Sequence, residues 1–334
     1  MLYFTYKRNS NGRSGHIFGE ILTVFILHCF YIKNSKIIYD NSWNNQHIFK
    51  TENLLNYCIT NKNINLDKTI KITKFKKSWN GISYNDLHNL ITQINNIDYH
   101  NKNILIELHN VIKIHPHQLL HWYHSKYIKT NIYYKTFLPL IRNIYFNNII
   151  NSINTLNNTT TNNTTTNTIN QFAIHIRRGD LAKSMIESGL DYNYYKNIIT
   201  SISNIIYEYK LNLKIVVYCE NEQYEDLLPL TEIFNDKSSL TSISSLKNNY
   251  LELKLGGPND LQTDFNELVR SKYLLISPCS MCIIAGYLNQ NSVFFDKCIL
   301  ECIRPNLINN GIEHCFINYN SSNIEKKLLN IINK

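Results

Sequence analysis

Apolar and polar positions along the second half of the chain follow two periods, one typical of strands and one typical of helices. Short apolar runs predict strands at residues 172–176, 213–219, 273–277 and 292–295. The segments between them predict helices at residues 192–209, 221–234, 264–271 and 280–288, the first capped by Asp191. This alternation favours a mainly parallel, doubly wound sheet.

The first half of the chain opens with the same alternation. Strands are predicted at residues 2–6, 36–39 and 104–108, and an apolar helix at residues 17–31. The turn before this helix holds Gly12 and Gly15, which permit close approach of a ligand to the backbone. The N-terminus of the helix would then present free N–H groups to an anion. In the alternative interpretation, both glycines serve only the steric needs of the turn.

An Asn/Thr-rich segment at residues 151–170 separates the two halves. Because it buries little apolar surface, it is predicted to be a flexible linker or a surface loop. It leaves an N-terminal Rossmann-like domain at residues 1–150 and a C-terminal domain at residues 171–334. The expected fold class is therefore α/β, with two facing Rossmann-like domains and mainly parallel sheets.

The composition narrows the range of partners. The 334 residues are 43% hydrophobic and carry a formal net charge of +9, which favours acidic partners such as nucleotides. The basic residues are scattered, so a nucleic-acid interface is not expected. No signal peptide is visible, and the longest apolar run, residues 17–32, is short for a bilayer span. A cytoplasmic protein without a transmembrane segment is expected.

A dense polar cluster follows the predicted strand at residues 172–176. It contains His175, Arg177, Arg178 and Asp180, at the carboxyl end of the strand, where open α/β sheets bind their ligands. The paired arginines point to an anionic ligand, because a guanidinium group binds phosphate oxygens bidentately. A surface turn with local Arg–Asp pairing is the alternative.

Further along the chain, two side chains have the chemistry to complete a nucleotide site. Asp264 could accept two hydrogen bonds from the edge of a guanine, and Ser280 could hold a phosphate together with helix N–H groups. Both residues also open predicted helices, so each could instead be an ordinary N-cap or a partner of the helix dipole.

The cysteines and histidines do not make a convincing metal site. Cys279 and Cys282 form a C-x-x-C motif with Cys298 and Cys302 nearby, but the first pair lies in an apolar strand-to-helix passage. Buried, reduced thiols are the favoured interpretation of most of the cysteines. No metal ligands are therefore assigned.

Three segments together resemble the α-1,2- and α-1,6-fucosyltransferases. Residues 175–180, H-I-R-R-G-D, are similar to the H-x-R-R-x-D motif of these enzymes. Residues 264–288 are similar to a later motif, in which a strand runs into a serine-rich turn and a helix follows. Residues 11–20, N-G-R-S-G-H-I-F-G-E, resemble the G-x-x-G-N-Q-x-F segment of the α-1,2 group.

The resemblance implies a GT-B fold and an inverting transfer of fucose from GDP-fucose to a glycan hydroxyl. No metal or other cofactor is expected. Residues 171–334 would bind the nucleotide sugar and residues 1–150 the glycan acceptor. A transferase that uses another nucleotide sugar, or an inactive relative that binds a glycan or nucleotide, are the alternatives.

The resemblance also assigns roles to the cluster at residues 175–180. Arg177 matches the arginine that binds the β-phosphate and would stabilise the leaving group. His175 would line the nucleotide pocket, and Arg178 and Asp180 would support the loop.

Further residues follow from the other two segments. Asp264 matches the carboxylate that reads guanine, and Ser280 matches the phosphate-binding serine. The turn with Gly12, Gly15 and His16 is expected to contact substrate.

The chain departs from the family pattern in both segments. Cys279 replaces a serine, Met281 and Cys282 replace an aromatic-serine pair, and His16 and Ile17 replace Asn-Gln. No catalytic base is assigned; Glu20, Asp40 and His16 are candidates by position only.

Overall fold

The computed structural model describes two compact units, Met1–Thr165 and Thr166–Lys334. The boundary falls inside the Asn/Thr-rich segment. The described residues are 1–7, 34–44, 64–73, 84–109, 168–178, 182–187, 189–220, 251–256, 261–277, 279–296 and 316–319, with separate positions within 21–32, 142–146, 229–230 and 325–330 and at 58.

The first unit contains a four-stranded parallel sheet. Its strands are β1 (Leu2–Lys7), β2 (Ser35–Ile37), β3 (Lys68–Ile72) and β4 (Ile104–His109), in the order β2-β1-β4-β3. Helix α1 (Tyr84–Asn95) buries Leu87, Leu90 and Ile94 at helical spacing. Five of the six residues of β1 are buried, because a central strand of a parallel sheet is covered on both faces.

The second unit contains a six-stranded sheet in which every pair of neighbours is parallel. Its strands are β5 (Ile169–Ile176), β6 (Lys214–Glu220), β7 (Leu251–Gly256), β8 (Ser271–Ile276), β9 (Ser292–Asp296) and β10 (Phe316–Tyr319). The helices between them are α2 (Ala182–Glu187), α3 (Tyr192–Glu208), α4 (Leu261–Arg270) and α5 (Ser280–Leu288). The predicted α/β class is thus confirmed, and both sheets are compatible with Rossmann-like domains.

The strand order of the second sheet indicates where a ligand is expected to bind. The order is β10-β9-β8-β5-β6-β7, so the chain builds outward from β5 on one side and then crosses to β8 on the other. This is the doubly wound order 3-2-1-4-5-6, in which the first and fourth strands flank the switch point. Ligands bind such sheets at the carboxyl ends of those two strands, here β5 and β8.

Helix α3 and the aromatic side chains of the sheet form the core on one face of the second unit. Asp191 caps α3, as predicted, by accepting the N–H of Tyr194 at 3.0 Å. Phe172 of β5 lies in the centre of this core, stacked on Tyr273 of β8 with the ring centroids 5.9 Å apart. This aromatic packing holds β5 and β8 together.

A polar network joins α4 to the opposite face of the same sheet. Glu267 of α4 accepts the hydroxyl of Tyr218 at 2.6 Å and pairs with Lys254 at 2.5 Å. Gln171 of β5 donates to the hydroxyl oxygens of Tyr218 and Ser271, at 3.0 and 2.9 Å. Burial, together with the Glu267 carboxylate, raises the pKa of Tyr218 far above its usual range, so the phenol stays protonated.

Several predicted boundaries need correction. Helix α4 begins at Leu261, three residues before the predicted start, and Ser271 already belongs to β8. Strands β3, β7 and β10 were not predicted. The predicted helix at residues 221–234 lies outside the described residues except at Pro229 and Leu230.

The predicted apolar helix at residues 17–31 is described at five positions only, and Ile21, Val24, Phe25 and Leu27 among them are buried. Within the described part of the chain, no helix combines the length and the apolar character needed to span a bilayer.

Candidate functional site

The carboxyl ends of β5 and β8 bring five chemically active side chains together. His175 is the last residue but one of β5, and Arg177 follows directly after that strand. Ser277 follows directly after β8. Nδ1 of His175 lies 2.7 Å from the hydroxyl oxygen of Ser277, although the two residues are 102 positions apart in the sequence. Cys279 and Cys282 adjoin this pair at the start of α5.

The two adjacent arginines have different surroundings. Arg178 is completely buried and donates hydrogen bonds to the carbonyl oxygens of Arg177 and Leu190, each at 2.9 Å. Its guanidinium carbon lies 5.7 Å from the ring centroid of Tyr195 in α3. Arg178 therefore anchors the backbone at the end of β5 onto α3.

Arg177 lies with the His175 cluster instead. It is 8% exposed, and its charge lowers the pKa of both His175 and Cys279. The alternation of side chains along extended backbone explains why His175 and Arg177 share one face while Arg178 takes the other. Arg177 is thus the arginine that lies beside His175 and Cys279, and its predicted contact with the β-phosphate stays a prediction.

His175 is a neutral group in this site. Burial, followed by the charge of Arg177, lowers its pKa to about 3. The hydroxyl of Ser277 donates its single proton to Sγ of Cys279, at 3.6 Å. In the tautomer protonated at Nδ1, His175 donates to Ser277 and keeps Nε2 as a hydrogen-bond acceptor.

Cys279, not Ser280, caps helix α5. Its backbone is extended, and its Sγ accepts the backbone N–H of Cys282 at 3.3 Å. The alternative interpretation of Ser280 as an N-cap is wrong, because Ser280 is already the first helical residue. The side chain of Ser280 is outside the described part of the structure, so its predicted phosphate contact stays a prediction.

The two thiols of the C-x-x-C motif have opposite acidities. Cys279 is partly exposed, and desolvation raises the pKa of its thiol. Hydrogen bonds from the thiol and backbone N–H of Cys282 and from Ser277, together with the charge of Arg177, outweigh this effect and lower the pKa of Cys279. Burial, and the hydrogen bond to Cys279, raise the pKa of Cys282 well above its usual value. Of the two thiols, Cys279 is therefore the one that ionises first.

The same residues supply nitrogen and sulfur atoms in close proximity. One ring nitrogen of His175 and the sulfur atoms of Cys279 and Cys282 all lie within 4.8 Å of one another. This donor set suits soft metal ions. The metal site weighed from the sequence was instead a set of four cysteines. Two of them, Cys298 and Cys302, lie outside the described residues.

Asp264 lies in the first turn of α4, partly buried. The helix leads directly into β8, so its first turn lies towards the carboxyl ends of the strands. The Asp264 charge contributes to the raised pKa of Tyr218, which places it on the sheet face of His175. Its predicted contact with guanine stays a prediction.

Other predicted site residues lie outside the described part of the chain. They are Gly12, Gly15, His16 and Asp180, together with Glu20 among the candidate bases. Asp40 is described: its Oδ1 accepts the N–H of Ser42 at 2.8 Å, at the start of a 3-10 turn at Asn41–Asn44. Asp40 therefore stabilises a local turn.

A buried carboxylate in the first unit was missed by sequence reasoning. Glu107 of β4 is 5% exposed; its carboxylate lies 3.0 Å from Nζ of Lys7 and 3.5 Å from Nε2 of His109. β1 and β4 are neighbouring parallel strands, and these residues lie at their carboxyl ends. The sequence feature that could have indicated this buried carboxylate is a single glutamate inside the apolar run I-L-I-E-L-H.

Comparisons with known proteins identify no relative. No protein-family model matches the chain, and searches of curated proteins and of solved structures give no significant match. Any functional conclusion therefore depends on the motifs of the sequence and on the geometry of the site.

We expect Arg178 to contribute strongly to stability. An Arg178→Met variant should lower the free energy of unfolding by ~2–4 kcal/mol, because two backbone carbonyls lose charged donors in a buried place. Lys183→Met, which removes a cation whose side chain is 90% exposed, is the control and should change it by less than ~0.5 kcal/mol. Urea titration measures the free energy of unfolding of both variants. An equal loss in Arg178→Met and Lys183→Met would contradict the anchoring role of Arg178.

The buried imidazole of His175 should make stability depend on pH. Its folded pKa is about 3 against 6.5 when unperturbed, so between these values the unfolded chain binds a proton that the folded chain does not. The free energy of unfolding should fall as the pH drops through this window, with a slope of up to ~1.4 kcal/mol per pH unit.

Urea titrations at several pH values compare the wild type with His175→Gln, which should lose this part of the slope. His100→Gln is the control, because His100 is exposed and the buried imidazole remains. If the free energy of unfolding of His175→Gln depended on pH as steeply as that of the wild type, the burial of a neutral ring would be contradicted.

Proposed function

We propose that this protein is an inverting, metal-independent glycosyltransferase that transfers fucose from GDP-fucose to a glycan hydroxyl, with its two units in a GT-B arrangement. The observation that carries the proposal is the position of Arg177. This cation, 8% exposed, follows the first strand of a doubly wound parallel sheet at the switch point, beside the N-terminal turn of α5.

The charge at this point matches the chemistry of the proposed reaction. When the bond between the sugar and GDP breaks, negative charge develops on the β-phosphate. A cation fixed beside that oxygen stabilises the transition state more than the ground state. Arg178 supports this function indirectly, since it anchors the backbone from which Arg177 extends.

In the proposed reaction the acceptor hydroxyl attacks the anomeric carbon on the face opposite to GDP. The bond from that carbon to the β-phosphate oxygen breaks, and GDP departs with the electron pair. The hydroxyl proton passes to a base, for which the described residues suggest no assignment. Displacement from the opposite face inverts the configuration of the sugar.

Asp264 supports guanine as the base of the donor. A carboxylate can accept hydrogen bonds from N1–H and the amino group of guanine together, whereas uracil offers no such pair of donors. The partly buried position of Asp264, on the same sheet face as His175, is compatible with this contact.

The proposal is tested first with Arg177→Ala. Turnover with GDP-fucose should fall by about a hundredfold, because one arginine–phosphate contact supplies ~3 kcal/mol in the transition state. Lys183→Ala removes an exposed lysine from the same unit and should leave the rate unchanged. Transfer to a panel of glycans is measured with radiolabelled donor. Full turnover in Arg177→Ala would refute the role of this residue.

The nucleotide class is tested by calorimetry with GDP, UDP and ADP. We expect selective binding of GDP, weakened ~10–100-fold in Asp264→Ala because two charge-assisted hydrogen bonds are lost. UDP affinity should not respond to this change. Asp86→Ala removes a carboxylate from the first turn of α1 and is the matched control. An equal loss for GDP and UDP would exclude guanine reading by Asp264.

A further inference from the structure

The first turn of α5 brings two thiols together beside the carboxyl ends of β5 and β8. Cys279 is the N-cap of the helix and Cys282 lies three residues later, so both sulfur atoms fall on one side of the same turn. The sulfur atoms lie within 4.8 Å of each other, and the Cys279 sulfur accepts the backbone N–H of Cys282. The two thiols are therefore neighbours within a single helical turn.

The surroundings of the two sulfur atoms differ in a way that favours attack by one of them. Cys279 is partly exposed, and it faces the N-terminal N–H groups of α5, the hydroxyl of Ser277 and the charge of Arg177. These groups stabilise a thiolate. Cys282 is completely buried behind it and donates its thiol hydrogen to Cys279.

We propose that Cys279 and Cys282 form a redox-active dithiol, in which Cys279 attacks small-molecule disulfides and Cys282 resolves the product. The Cys279 thiolate attacks one sulfur of the disulfide RSSR, forms a mixed disulfide and releases RS⁻. Cys282 then loses its proton, attacks Cys279 Sγ and releases the second RS⁻. The disulfide is reduced to two thiols, and the protein dithiol is oxidised to one disulfide.

The observations favour this chemistry over a metal site at the same place. His175, Cys279 and Cys282 supply three donor groups, and the structure describes no fourth around them. The nearby guanidinium of Arg177 repels a divalent cation but attracts a thiolate.

This dithiol does not depend on the proposed transfer of fucose, and its test needs no nucleotide. The 334-residue protein, reduced and freed of metal with a chelator, is equilibrated at neutral pH with mixtures of reduced and oxidised glutathione. Acid precipitation stops the exchange and removes glutathione. The free thiols are then alkylated with iodoacetamide in denaturant at mildly alkaline pH, where they ionise. Trypsin then releases residues 273–297, which contain Cys279 and Cys282 and no other cysteine.

We expect the peptide of residues 273–297 to change in one transition to its intramolecular disulfide, with the loss of two hydrogens. Cys58 and Cys219, which are buried and not in a disulfide, should be recovered alkylated throughout and serve as internal controls. Cys282→Ser should stop at a mixed disulfide between glutathione and Cys279. Cys279→Ser should form neither product.

Two results would overturn the proposal. One is a Cys279 that stays free in excess oxidised glutathione, or that reacts no faster than Cys58. The other is the purification of the untreated protein with one equivalent of Zn²⁺ that blocks alkylation of both thiols, which would make the pair a metal site. Mass spectrometry of the wild type alone distinguishes these results, so a variant that fails to fold does not affect the test.

Discussion

The parallel pairing of β5 with β8 is the contact on which the described site depends. These strands are neighbours in space although the chain builds β6, β7 and α4 between them. Their pairing places His175 against Ser277, at 2.7 Å, and sets the direction in which α5 leaves the sheet. Phe172 and Tyr273 stack on one face, and Gln171 and Ser271 are hydrogen-bonded on the other. Both faces therefore hold the same pair of strands in place.

Much of the second sheet could be predicted, because strands buried on both faces appear in the sequence as apolar runs. The runs in β5 and β8 were found on this basis. β7, L-E-L-K-L-G, lies at the edge of the sheet, and its alternating charges resemble a solvated segment. β3, K-T-I-K-I, is likewise an edge strand with exposed lysines. In both, pairing with a distant strand decides the structure more than local pattern does.

The candidate site was only partly predictable. The strand end with His175 and Arg177 was visible, but the opposite placement of Arg178 depends on α3, which the motif alone does not specify. Serine is a more frequent N-cap than cysteine, so Ser280 was the natural alternative, whereas the chain begins the helix one residue earlier. The proximity of His175 to the two thiols joins segments about a hundred positions apart, which no local pattern records.

The separation of β5 from β8 along the chain also affects how the protein reaches this structure. The hydrogen bond between Gln171 and Ser271 closes a loop of 100 residues, which is a slow, entropically costly event in folding. Until it closes, the apolar strand β8 has no neighbour on its β5 side, and Cys279 and Cys282 are open to solvent and to other chains. The nascent protein should therefore be most vulnerable to aggregation and to unwanted oxidation after β8 has been synthesised and before it has paired with β5.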